Sequence, residues 1–343
     1  MAAGAAGVLF SGLARGQSGA ARAPALPRLV KPPRLKDGAN VGLIAPGGVV
    51  DDALIEKCVR NLESQGFTVR TGRNIRAQRG GYAGSVDERL DDLHAMFLDR
   101  DVGAIWTARG GSGCLALLPR LDYAAIRRHP KIVIGYSDIT ALHLALARHA
   151  GLVTFHGPVA SSTFSEFSVR NMRAVLMEPR PRLTLEIAAE NLARAASEPQ
   201  FAPRVFRAGC AEGRLVGGNL ATVCAMIGTP HAAQIEGNVL FFEEVGEAPY
   251  RIDRMFTQLR QSGLLGRAAG VALGVFQKCE AVDGEPSLTL AQVLEDNLSS
   301  LRVPAAYGFS FGHIAQQVTL PVGARAALDT EARTITLLEP AVA

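Results

Sequence analysis

A serine, a histidine and a carboxylate held within reach of one another can carry out nucleophilic acyl transfer, and candidates for each stand at the ends of apolar segments in this chain. Ser137 follows Ile132-Val133-Ile134 through Gly135 and precedes a stretch whose apolar residues Ile139, Leu142 and Leu146 recur at helical spacing. A sharp strand-to-helix turn there lifts the hydroxyl above a sheet edge. It also leaves the Asp138 amide free in the first helical turn, aimed where an oxyanion would develop. The same turn suits a helix N-cap, a role that serine and aspartate both favour, and the local pattern by itself favours the cap.

A serine nucleophile needs a base, and seven histidines are on offer. His94, His129, His143 and His149 fall in helical or surface-like stretches and read as solvated or half-packed rings. His156, in Phe155-His156-Gly157-Pro158, and His313, in Gly312-His313-Ile314, follow short apolar segments at loop positions, where catalytic groups concentrate. His231, after Pro230, reads as a turn residue or a supporting group. The carboxylate that orients a base has two candidates, Glu243 and Glu244, at the end of the apolar run from Val239. Strand alternation sends them to opposite faces, so only one can serve a site. A strand end turning into solvent fits the segment equally well.

Such groups need a scaffold, and the chain alternates strands with helices. Val41-Gly42-Leu43-Ile44-Ala45-Pro46-Gly47-Gly48 is a buried-strand run entering a Gly/Pro turn, with helical spacing at Leu54, Cys58 and Leu62 behind it. Val102 to Thr107 is a strand before Arg109-Gly110-Gly111-Ser112-Gly113, and Lys131 to Ile134 is a strand before Ser137. This alternation predicts a parallel α/β layer with its Gly-rich loops gathered at the carboxyl ends of the strands. From Arg170 to Arg204 the rhythm breaks around Pro179, Pro181, Pro199 and Pro203, as expected of a crossing between domains. Beyond Arg214-Leu215-Val216-Gly217-Gly218-Asn219, strands are expected at Val239 to Val245, Val271 to Phe276, Ala306 to Phe309 and Thr334 to Leu338. A helix from Pro249 to Ser262, ended by Gly263, carries Ile252, Phe256 and Leu259 on one face. The expected fold class is α/β: an N-terminal parallel-sheet α/β domain over residues 35–169 and a more β-rich C-terminal domain over 205–343. Residues 170–204 form the linker and 1–34 precede the folded body.

Composition narrows the function classes. At 343 residues, 48% hydrophobic and 20% charged, the chain suits a globular enzyme of two domains and is too mixed for disorder or a membrane protein. Its 36 basic and 32 acidic residues are interleaved, without the clustered stripe of a nucleic-acid surface. Five scattered cysteines, Cys58, Cys114, Cys210, Cys224 and Cys279, with no C-x-x-C pair, read as reduced core thiols and not as a disulfide framework or zinc site. There is no G-x-x-x-x-G-K-[ST] and no full dinucleotide fingerprint, which argues against a nucleotide-holding protein. Met1 to about Ala25 is Ala- and Gly-rich with a short apolar run at Gly7-Val8-Leu9-Phe10, a degraded secretory pattern without a basic n-region, so a flexible tail and a cytoplasmic chain are preferred over export.

Taken together, Arg109-Gly110-Gly111, Leu118-Pro119-x-Leu121-Asp122, Gly135-Tyr136-Ser137-Asp138-Ile139-Thr140-Ala141-Leu142-His143 and His156-Gly157-Pro158 resemble the N-terminal half of the LD-carboxypeptidases. Gly217-Gly218-Asn219-Leu220, Glu243-Glu244-Val245-Gly246-Glu247, Tyr250-Arg251-Ile252-Asp253-Arg254 and Gly308-Phe309-x-Phe311-Gly312-His313 are similar to the C-terminal half, in the same order, over roughly Leu35 to Asp329. The resemblance implies a serine, glutamate and histidine triad at Ser137, Glu243 and His313, with His156 in a structural or supporting role. It implies oxyanion donors at the amides of Asp138 and Gly111. It also implies a cell-wall tetrapeptide substrate that loses a terminal D-alanine, no metal or other cofactor, and a homodimer. A carboxypeptidase must hold a free carboxylate; Arg109 is the candidate clamp, and a structural ion pair suits it equally. Two related readings stay open: cleavage of a peptide-nucleotide antibiotic in self-immunity, and a non-catalytic binding relative. Ser112 and Gly47 depart from the family pattern, which has an aromatic and a small hydroxyl residue there, so loops expected to border the substrate differ.

Overall fold

Apolar runs with no polar alternation form strands buried on both faces, and such runs make the centre of a first sheet that has five parallel strands. In the computed structural model, which describes Met1 and residues 27–282, 284 and 286–343, these are β1 (Asn40–Ile44), β2 (Thr68–Thr71), β3 (Val102–Thr107), β4 (Ile132–Gly135) and β5 (Thr154–His156). They run parallel in the order β5-β4-β3-β1-β2. The signal-like pattern before Ala25 lies outside the described residues apart from Met1.

Helices α1 (Asp52–Glu63), α2 (Val86–Leu98), α3 (Tyr123–Arg128), α4 (Thr140–Ala145) and α5 (Glu166–Leu176) accompany these strands. α1 begins where Asp51 caps the Leu54 amide, and it buries Ile55, Cys58 and Leu62. α2 starts with a reciprocal capping box, Ser85 accepting from the Glu88 amide and Glu88 from the Ser85 amide, an arrangement that stabilises a helix by about 1 kcal/mol.

The second sheet has eight strands: β6 (Leu183–Leu185), β7 (Arg204–Arg207), β8 (Cys210–Asn219), β9 (Val239–Val245), β10 (Gly270–Gln277), β11 (Ala305–Tyr307), β13 (Arg325–Asp329) and β14 (Thr334–Leu337). Its order is β6-β14-β13-β8-β9-β10-β11-β7, with a parallel centre from β8 to β11 and antiparallel flanks. The remaining strand, β12 (Leu320–Val322), leaves the second half and adds to the edge of the first sheet, antiparallel to β5. Two residues, Gly323 and Ala324, separate β12 from β13. Helices α6 (Ala189–Arg194), α7 (Leu220–Met226), α8 (Pro249–Gln261) and α9 (Leu290–Leu298) complete the half. α8 begins on Pro249 and buries Ile252, Phe256 and Leu259.

Two expectations change in detail. Residues 170–204 are built: they hold most of α5, the edge strand β6 paired with β14, α6 and a 3₁₀ turn opened by Pro199. The prolines punctuate these short elements. Among the cysteines, Cys58, Cys114, Cys224 and Cys279 are buried as expected, but Cys210 starts β8 exposed, and all five are unpaired. Among the described residues no helix is long and apolar enough to cross a membrane.

Candidate active site

The chain turns abruptly after β4. Ser137 takes φ +66°, a left-handed conformation that it shares with only two other non-glycine residues among those described. Such a backbone costs roughly 1–3 kcal/mol and persists only where its surroundings over-determine it. Here they do. Gly135 packs so closely on Thr107 that a Cβ would lie 2.2 Å from its Oγ1. His143, on the first turn of α4, brings Nε2 to 2.9 Å from the Gly135 carbonyl.

Capping does not explain the turn. A 3₁₀ turn spans Ser137–Ile139 and has no side-chain cap. The buried Asp138 carboxylate instead accepts from the Cys114 amide at 2.9 Å, tying the Gly-rich loop after β3 to the serine. Gly110 in that loop faces Ser137: a Cβ on it would come 2.6 Å from Ser137 Cβ, 2.9 Å from Oγ and 3.2 Å from the Asp138 amide nitrogen. Neither the Asp138 amide nor the Gly111 amide donates to an acceptor among the described residues.

The second sheet supplies the carboxylate and the ring. Asn219 at the end of β8 pairs in register with Glu243 on β9. Glu243 is wholly buried, and its Oε2 lies 2.6 Å from His313 Nδ1. That bond turns Nε2 outward as the free ring nitrogen, on a side chain 18% exposed. Burial alone would lower the His313 pKa, but the charge and hydrogen bond of Glu243 outweigh it and hold the pKa above the ordinary 6.5. Burial would likewise raise Glu243, yet His313 keeps it below its ordinary value. Glu244 points to the other face, where it accepts from Asn219 Nδ2 and the Ala221 amide, each at 2.8 Å, and from the Val245 amide at 2.9 Å. Burial, and then the neighbouring Glu243, push its pKa up to about 7.

A short interface brings the two parts together. The Asn219 amide donates to Thr140 Oγ1 at 2.9 Å, joining the end of β8 to the start of α4. Gly218, at φ +138°, allows this approach, since a Cβ there would stand 2.4 Å from the same oxygen. Across the junction the Tyr136 ring meets the His313 ring edge-on, centroids 4.7 Å apart.

Some expected placements change. Ser137 Oγ and His313 are not hydrogen-bonded in this structure; the imidazole contacts Tyr136, the residue before the serine. Catalytic hydrogen bonds are often long before a substrate tightens them. His143 is not half-packed but fully buried, and burial drives its pKa down to about 3. His156 is also fully buried, with its pKa down to about 4. Arg109 forms no ion pair among the described residues; it is exposed and reaches the Val49 carbonyl at 3.5 Å. Gly47 is buried beneath Gly110, whose carbonyl would sit 2.6 Å from a Cβ at this position. Ser112 is exposed at the rim.

Two residues that sequence reasoning passed over help to shape the site. Tyr136 is one, and its position directly before the serine was the available signal. The other is Arg89, which is buried on α2 and donates to the Pro46 carbonyl at 2.8 Å and the Gly113 carbonyl at 3.0 Å, bracing both Gly-rich loops. Nothing in its own segment marks it. Among the described residues no group of three or more His, Cys, Asp or Glu is placed to hold a metal ion.

A parallel α/β sheet presenting a strained serine turn, joined to a mixed sheet presenting a buried Glu–His pair, is the architecture of a two-part peptidase fold. The family models of the LD-carboxypeptidase N-terminal and C-terminal domains match residues 41–157 and 212–328. The chain is 40% identical over 304 residues to the "Probable murein peptide carboxypeptidase" of Bacillus subtilis, covering 89% of this chain and 93% of that protein. The solved muramoyltetrapeptide carboxypeptidase from Oxalobacter formigenes superposes with a TM-score of 0.74 at 31% identity, over 87% of this chain and 98% of that one. The microcin C7 self-immunity protein MccF of Escherichia coli is 27% identical over 316 residues, covering 86% of this chain and 91% of that protein. The chain belongs to the LD-carboxypeptidase family of peptidases.

Proposed function

We propose that the chain is a serine-type LD-carboxypeptidase that removes the C-terminal D-alanine from peptidoglycan tetrapeptides. The observation that carries this reading is the buried Glu243–His313 hydrogen bond, 2.6 Å long, presented across the junction to the strained turn at Ser137. In the proposed reaction Ser137 Oγ attacks the carbonyl before the terminal D-residue while His313 Nε2 takes its proton. Glu243 stabilises the imidazolium through Nδ1. The amides of Asp138 and Gly111 receive the developing oxyanion. His313 returns the proton to the leaving amine as the C–N bond breaks, which leaves an acyl-serine. Water, deprotonated by the same ring, then releases the acyl group and restores the serine. Arg109, exposed and without an ion pair, is the proposed clamp for the free substrate carboxylate.

The test is mass spectrometry of a free or disaccharide-linked tetrapeptide after incubation. Loss of one alanine is expected with the native chain and not with Ser137→Ala, and a fluorophosphonate should label Ser137 alone. Turnover that persists in Ser137→Ala would overturn the mechanism. The similarity to MccF favours one second reading, hydrolysis of a peptide-nucleotide conjugate, and parallel assays on an aminoacyl-nucleotide analogue separate the two. The cytoplasm is the proposed place of action, with export the alternative, and a homodimer the proposed assembly.

A further inference from the structure

Glu243 commits one carboxylate oxygen, Oε2, to His313. The other, Oε1, is buried and meets no donor among the described residues. A buried carboxylate oxygen left unpaired is costlier still than an unpaired neutral group. Another buried side chain carries the complementary deficit. His156, at the end of β5, is fully buried, and neither of its ring nitrogens is hydrogen-bonded among the described residues.

The surrounding side chains put both groups in one compartment. On β9, Phe241 and Glu243 project to the same face, two residues apart. The His156 ring lies edge-on to Phe241, centroids 5.3 Å apart, and to Phe311 at 6.5 Å. Gly312, next to Phe311, packs on the glutamate itself: a Cβ there would come 3.1 Å from Glu243 Cβ. Tyr136 lies beside both rings, 6.1 Å from His156 and 4.7 Å from His313.

We propose that His156 is a positioning residue whose ring N–H holds Oε1 of Glu243, directly or through one water, so that Oε2 stays aimed at His313. A neutral imidazole offers one donor and one acceptor, and burial keeps His156 neutral at physiological pH. The titratable groups facing this compartment are Glu243 on β9, Tyr136 after β4, His143 on α4 and His313, with Glu244 close behind on the other face of β9. His143 already engages the Gly135 carbonyl through Nε2, and Glu244 is occupied on the opposite face. Asn219, the other side-chain donor close to Glu243, gives its Nδ2 to Glu244 at 2.8 Å, which leaves His156 to serve Oε1. The kinetic consequence rests on the acyl-transfer reading; the hydrogen bond does not.

The test is proton–nitrogen NMR of the full chain with kinetics alongside. In His156→Leu, which keeps bulk and loses both nitrogens, the His313 Nδ1–H resonance should move upfield and exchange faster. At the same time kcat should fall about 10-fold, as for other supporting partners of an active ligand, with KM unchanged because the residue is out of reach of substrate. His156→Gln, which restores an N–H donor, should recover most of both. A purely structural role would lower stability in the two variants alike and leave the His313 proton in place. Should His156→Leu fail to fold, the wild-type His156 ring proton is followed instead; it should be protected and shift on Glu243→Gln. An unmoved His313 proton in folded His156→Leu, or a His156 proton indifferent to Glu243→Gln, overturns the proposal. Because the spectra are read without substrate, they decide it even if the native chain proves inactive on tetrapeptides.

Discussion

The serine turn and the Glu–His pair meet at one junction but are built on opposite principles. The first sheet holds Ser137 by backbone strain: a left-handed serine braced by close-packed glycines, by the Asp138 carboxylate and by a buried histidine beneath. The second sheet holds His313 by buried charge: an ionisable carboxylate taken wholly out of water and satisfied on one oxygen by the ring. Strain is relieved when a side chain is removed, whereas buried charge is made worse by it. The two parts of one site should therefore answer mutation in opposite directions.

The largest expected effect tests the chemistry on the strained side. Ser137→Ala should lower kcat by about 10⁶-fold with stability retained, measured by tetrapeptide turnover and thermal unfolding. On the charged side, His313→Ala should also abolish turnover, and in addition lower unfolding free energy by about 3 kcal/mol, since the buried Glu243 loses the ring that pairs its Oε2. Equal stability in these two variants would erase the distinction. Gly110→Ala comes next, because its new Cβ would crowd Ser137 Cβ at 2.6 Å; kcat/KM should drop about 100-fold through misplacement of the nucleophile.

Acidity sharpens the comparison further. His313 must be neutral to accept the serine proton, and Glu243 holds its pKa above 6.5, so activity should rise with pH through a midpoint above that value. In Glu243→Gln the midpoint should fall, and a pH–rate profile reads this directly. For stability the signs differ between the partners. The raised His313 contributes fully below its unfolded value of 6.5 and loses its contribution as pH rises through the folded pKa, while the lowered Glu243 contributes above 4.5 and loses it as pH falls. The margin over Glu243→Gln is thus widest between 4.5 and 6.5. The smallest change in stability is that of Ser137→Gly, as inactive as Ser137→Ala but more stable by about 1 kcal/mol once the left-handed strain is released, measured by thermal unfolding.

What was legible in the sequence follows the same division. Strand runs such as Ile132 to Ile134 and the α8 face of Ile252, Phe256 and Leu259 emerge as read, because local periodicity reports burial directly. The alternation that separates Glu243 from Glu244 was legible too, though only the resemblance to the family told their roles apart: each is set by a partner from elsewhere, His313 for one and Asn219 for the other. His143 was misjudged because a helical histidine gives no local sign that its ring will be buried against the end of β4. The turn at Ser137 looked like a cap for a similar reason. Its φ is imposed by Gly110 and Thr107, residues 27 and 30 positions earlier in the chain.

The short strand β12 has a consequence for how the molecule is made. The N-terminal sheet receives its edge from Leu320–Val322, near the end of the chain. A ribosome reaches that segment long after β5, so β5 must wait with an unpaired edge while the intervening residues are synthesised. The same return stroke means that severing the gene between the halves would not yield two self-sufficient pieces. The first would lack its border and the second would carry a stray strand, which ties the halves to a common inheritance as well as a common site.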